Sequence, residues 1–175
     1  MNFIPNPLHP AVVHFPIVLI VLGAALSVVA VFWRKGYVPA FAAALLTLGA
    51  LGAWAATETG ESDGGLVESS APQVETLLDA HEDWAKRTLT ASVIAAVIAI
   101  GAAALFRFPR AARGVAVAAA LAAGGASWSV YETGHRGGAL VYRHGAGVNI
   151  ASTAAGSEAA VVRPQREGHK EDDHD

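Results

Sequence analysis

Histidines and two matched glutamates carry most of the chemistry this 175-residue chain could do. His9 and His14 flank the start of the first apolar stretch, in Leu-His-Pro-Ala-Val-Val-His-Phe-Pro. A spacing of five sets them about 140° apart on a helix, so they do not form the i, i+4 pair of a helical metal site. His81 begins His-Glu-Asp-Trp, and His135 stands three residues after Glu132. His144 ends Gly-His-Arg-Gly-Gly-Ala-Leu-Val-Tyr-Arg-His. His14 is the deepest, in an otherwise apolar helix, where an unpaired polar ring costs about 1–3 kcal/mol. It is therefore expected to face the bundle interior, near His81 or Glu58. Cysteine is absent. That removes disulfides, thiolate zinc, iron–sulfur ligation and covalent haem attachment.

Imidazoles and carboxylates converging on a membrane face suit a haem, a copper or zinc ion, or a proton-coupled quinone site. His9, His14, His81, His135 and His144 are the candidate cofactor ligands. His14, His81, His135, Glu58 and Glu132 are the candidate metal set. His14 and His81 are the first choice for the axial ligands of a b-type haem. The competing reading makes each histidine an interfacial residue that caps backbone groups freed by nearby Pro or Gly. His169 and His174 lie in a charged tail and belong to solvent.

The elements that must position these residues are visible as gaps in the charge. Four runs lack Asp, Glu, Lys and Arg: Met1–Trp33, Gly36–Thr57, Thr88–Phe106 and Gly114–Tyr131. A helix of ~20 apolar residues crosses ~30 Å of hydrocarbon. The reading is an all-α membrane protein of four transmembrane helices, at about 11–33, 37–57, 86–106 and 112–132. It occupies residues 1–150, and 151–175 form a disordered polar tail. A cleaved signal peptide fits the first run poorly: no basic residue precedes it, and Arg34-Lys35 follow it.

Composition agrees. Hydrophobic residues make up 53% and charged residues 15%, and the net charge is -3. This excludes a disordered chain, a nucleic-acid binder and an ordinary soluble enzyme. The short turns Arg34–Pro39 and Arg107–Arg113 carry Arg34, Lys35, Arg107, Arg110 and Arg113 and no acid. The Glu58–Ala85 loop carries no Lys or Arg. The positive-inside rule then makes the short turns cytoplasmic and both termini extracytoplasmic. Every acid and every histidine lies toward the outer face, and no catalytic residue set emerges.

A repeat runs through the chain. Trp-Ala-Ala-Thr-Glu-Thr-Gly (Trp54–Gly60) returns as Trp-Ser-Val-Tyr-Glu-Thr-Gly (Trp128–Gly134), 74 residues later. A repeated two-helix hairpin follows, with a pseudo-twofold axis along the membrane normal and Glu58 matching Glu132. Each glutamate then sits at a helix C-terminus, where the macrodipole disfavours an anion by ~0.3–1 kcal/mol. A carboxylate there is either solvated or paired with His, Arg or a metal. The spans are rich in Ala and Gly, which means either close helix packing or room for a flat cofactor.

His-Pro-x-x-Val-His-Phe-Pro-Ile at the N-terminus, His-Glu before the third span and Gly-His-x-Gly-Gly-x-Leu-Val-Tyr-x-His-Gly-x-Gly-Val together resemble a bacterial family of small four-helix membrane proteins of unknown function. The resemblance covers residues 7–150. It implies His9, His14, His81, His135, His144 and Tyr142 as site positions. Some members are fused to Rieske-type or cytochrome c domains, which implies a membrane electron-transfer subunit facing haem or quinone. This chain has no redox domain of its own, so its electron partner would be a separate protein. The expectation is an inner-membrane redox subunit in the lipid bilayer, alone or as a homo-oligomer, rather than an enzyme on its own. The alternatives are a copper- or zinc-binding membrane protein and a structural subunit without cofactor.

Overall fold

The computed structural model describes residues 8–33, 37–64 and 72–145. The described residues fold into α1 (His9–Val12), α2 (His14–Phe32), α3 (Val38–Gly64), α4 (Pro72–Ala104), a 3-10 turn (Leu105–Arg107) and α5 (Pro109–His144). Pro10, Pro39, Pro72 and Pro109 each stand within the first two residues of a helix. Proline suits the first turn because the missing N–H has no partner there and its φ is already helical. Pro16 is the exception and explains the break between α1 and α2. It cannot donate to the carbonyl four residues back, so the helix turns at Val13 and resumes at His14. Gly145 ends α5 at φ 64, donating to the carbonyl of Val141 at 2.9 Å. Only glycine takes that left-handed cap without strain.

The helices form a ring: α2 packs on α3 and α5, and α4 packs on α3 and α5. Neighbours run antiparallel. Ile20 seats on Gly49 while Leu46 seats on Gly23, and a Cβ on either glycine would come within 2.8 Å of the opposing side chain. Ile20 and Leu46 are fully buried. Between α4 and α5 the same closeness comes from Ala95, Ala99, Ala119 and Ala123. Lipid tails are as apolar as Leu, so close packing rather than water exclusion joins these helices. The small residues at these contacts thus serve close packing. A void of about 10 Å³ among Ser27, Ala30, Ala42 and Ala99 is no larger than one water requires.

The outside is the apolar side. Phe15, Leu22, Leu48, Leu51, Val97 and Leu121 are all exposed. Trp33, Tyr37 and Phe108 are exposed at one end of the bundle, and Trp54, Trp128 and Tyr131 at the other. That is the pattern of a bilayer-spanning bundle with an aromatic belt at each interface. Several hydroxyls inside the spans are satisfied within their own helix: Ser27 donates to the Gly23 carbonyl at 2.8 Å and Thr47 to Ala43 at 2.8 Å.

Two sequence expectations are corrected. Much of the Glu58–Ala85 segment is helix, because α3 continues to Gly64 and α4 begins at Pro72. Charge ends a membrane span but does not end a helix, whose backbone bonds persist into water. For the same reason Glu58 and Glu132 are not at helix C-termini: α5 runs on to His144. The tail 151–175 lies outside the described residues.

Candidate functional site

The end of the bundle that carries Trp54 and Trp128 brings two imidazoles together. His9 opens α1, and its Nδ1 lies 2.8 Å from the carbonyl oxygen of Ala56 on α3. His81 stands on α4, with its Nδ1 3.0 Å from the carbonyl oxygen of Thr133 on α5. A carbonyl can only accept, so both rings carry their proton on Nδ1. In a neutral ring the Nε2 lone pair is then free, and neither Nε2 has a hydrogen bond among the described residues. The two ring centroids are 6.1 Å apart with planes at 88°.

Both contacts are built the same way. The carbonyl that receives each ring belongs to the residue four before a glycine. His9 lies over Gly60 and His81 over Gly137, and a Cβ on either glycine would sit 3.0 Å from the ring. A side chain there would make the ring give by a few tenths of an ångström and so strain its bond to the carbonyl. His9 and His81 are 72 residues apart, and Gly60 and Gly137 are 77 apart. Pro16 on Gly52 matches Thr88 on Ser129 in the same register. The contacts therefore repeat as a pseudo-twofold would repeat them, but not in the register of the 74-residue sequence match. Glu58 and Glu132 do not occupy matching positions.

Each ring has a fixed setting. The backbone N–H of His9 donates to Asp63 Oδ2 at 2.9 Å, which holds the start of α1 against the end of α3. Below His81, Thr88 Oγ1 lies 2.8 Å from Ser129 Oγ and 2.9 Å from Thr133 Oγ1. Thr133 also donates to the Ser129 carbonyl at 2.9 Å, so this hydroxyl cluster locks α4 to α5 beneath the ring. His81 stands seven residues before the charge-free stretch at Thr88, outside the apolar span. Burial pushes its pKa below the ordinary value, the Thr133 carbonyl opposes this, and the nearby His9 adds to the lowering. The neutral ring, with its lone pair available, is the favoured form.

The other sequence candidates lie elsewhere. The His14 side chain is exposed and has no hydrogen bond among the described residues, so the expectation that it faces the interior is not met. The 140° between His9 and His14 lets only one of them turn inward, and the partner of His81 is His9. His135 is exposed and stacks on Tyr131 at 6.1 Å. His144 is exposed, and Tyr142 is 91% exposed beside a shallow groove along α5. Glu58 is exposed, the solvated carboxylate. Glu132 is half-buried and paired with Arg136, whose guanidinium also lies 4.7 Å over Trp84. Among the described residues no three His, Asp or Glu gather as a metal-holding group. His14, His81, His135, Glu58 and Glu132 are thus not brought together.

Sequence reading named His9 and His81 but missed what fixes them: Asp63, Thr133, Gly60 and Gly137. Gly60 closes the repeated Glu-Thr-Gly, and that signal could have marked it. A porphyrin does not fit this site, because both rings are pressed against helix backbone over a glycine and the spans below are closed.

The family model described as "Predicted membrane protein (DUF2231)" matches residues 5–150. No curated protein and no solved structure matches the chain.

Proposed function

Because the chain belongs to the DUF2231 family of predicted membrane proteins, we propose that it serves the bacterial cytoplasmic membrane as a redox-linked subunit. Its working centre in this reading is the His9–His81 pair, on the extracytoplasmic side with both termini. The observation that carries it is the pair of Nε2 atoms left without partners while both Nδ1 atoms are tied to carbonyls. A ring fixed in this tautomer accepts a proton or binds a metal, and it does not donate from Nε2. Such a site can take a redox metal ion, or accept the protons a quinol releases as its electrons pass to a separate Rieske or cytochrome c type protein. The haem reading, with His14 as a ligand, has less support than a small ligand at His9 and His81.

The test is one detergent-purified sample measured by absorption, metal analysis and redox titration. A redox-active signal that depends on His9 and His81 is expected. A sample with no redox-active metal and no response to a quinol overturns the redox reading. The structural alternative has its own support, since each imidazole already joins two helices through Nδ1. On that reading His81→Asn, which retains a donor to the Thr133 carbonyl, leaves the subunit fully functional.

A further inference from the structure

The geometry points to a single copper(I) ion held between Nε2 of His9 and Nε2 of His81. This rests on the reading of the pair as the ligand centre and names its occupant. Two imidazoles whose Nε2 atoms meet in line across one ion place their centroids at two metal–nitrogen bonds of about 2.0 Å plus two ring radii of ~1.1 Å. That sum is close to the 6.1 Å between the rings. The 88° between their planes keeps the ring hydrogens beside each nitrogen clear of one another across a linear ion. The tautomers agree, because Nδ1–H donates to Ala56 and Thr133 and turns Nε2 into the ligand atom. Outer-sphere carbonyls of this kind orient most metal-bound imidazoles.

The ligand count selects the metal. No third His, Asp or Glu joins the pair among the described residues. Zinc takes four ligands, at least three of them from protein in most sites. Imidazole suits copper among the transition metals, and the filled d shell of copper(I) allows a linear arrangement of two nitrogens. Asp63 is engaged by the His9 backbone N–H, in keeping with a two-coordinate centre.

The experiment titrates the full chain in detergent with copper(I) against a competing chelator. The wild type is compared with His9→Asn and His81→Asn. An Asn amide N–H sits near the place of Nδ1–H and keeps the bond to the carbonyl, but it offers no Nε2. One copper per chain is expected, with at least a tenfold loss of affinity in each variant and melting temperatures close to the wild type. No copper bound, or unchanged affinity in both variants, overturns the proposal. X-ray absorption of the copper-loaded wild type covers the case in which a variant fails to fold. Two imidazole nitrogens at about 2.0 Å are expected, and a spectrum without imidazole scattering overturns the site. Preference for zinc over copper(I) overturns the choice of metal. Copper bound at both histidines with no reversible electron transfer leaves the site standing and removes the redox function. A redox signal independent of His9 and His81 does the reverse.

Discussion

At the scale of single residues, the pair depends on glycine as much as on histidine. Gly60→Ala and Gly137→Ala each add a carbon 3.0 Å from an imidazole. Each is expected to strain the bond of its ring to the carbonyl and to cost up to about 1 kcal/mol, the net value of one hydrogen bond. Thermal unfolding in detergent checks this, with Gly124→Ala as the control because nothing approaches that position. His81 adds a dependence on pH. Its folded pKa lies below the unfolded value of about 6.5, so folding favours the neutral ring. Stability from this group is therefore full above about pH 6.5 and is lost as pH falls through the lowered folded pKa. Melting temperature is expected to drop across that interval in the wild type and less steeply in His81→Asn. Equal slopes would assign the pH dependence to other groups. Which histidine turns inward was half legible: the spacing of His9 and His14 forbids both, but depth alone favoured His14. The carbonyls that select His9 come from α3, some fifty residues away, and no local pattern announces them.

At the scale of elements, charge-free stretches found all four helices because hydrocarbon tolerates few charges. Their ends were not legible. Residues 58–64 and 72–85 are polar, and polarity says nothing against a helix once the chain is in water. The repeat was legible through Trp54 and Trp128, which are both exposed at the same end of the bundle. Its register was not, since 74 and 77 differ by nearly one turn and keep similar faces. The contact between α2 and α3 gives the sharpest prediction here. Gly49→Val places branched carbons where Ile20 now lies, 2.8 Å from the first added atom. The helices must separate, with an expected loss of about 1–3 kcal/mol, the usual range for overpacking. Gly23→Val should behave alike against Leu46. The readout is the denaturant midpoint in detergent, and a midpoint within error of the wild type would contradict the reciprocal packing.

At the scale of the whole molecule, two hairpins close a ring, one end of which carries both imidazoles. We propose, from the basic turns and the acid-rich segment, that this end lies outside the cytoplasm. A reporter active only in the cytoplasm, fused after Asp175, is expected to be silent, and the same reporter at Gly36 active. The reverse pattern would put the histidines inside. The fold follows from hydropathy, but the site appears only when the hairpins meet, because His9 and His81 come from different hairpins. The most direct measurement is nitrogen NMR of histidine-labelled full-length protein at neutral pH, with His9→Asn and His81→Asn used for assignment. Two rings protonated at Nδ1, each with a resolved bond to a backbone carbonyl and with through-space contact between them, are expected. Rings that both carry the proton on Nε2, or that show no mutual contact, would contradict the paired site.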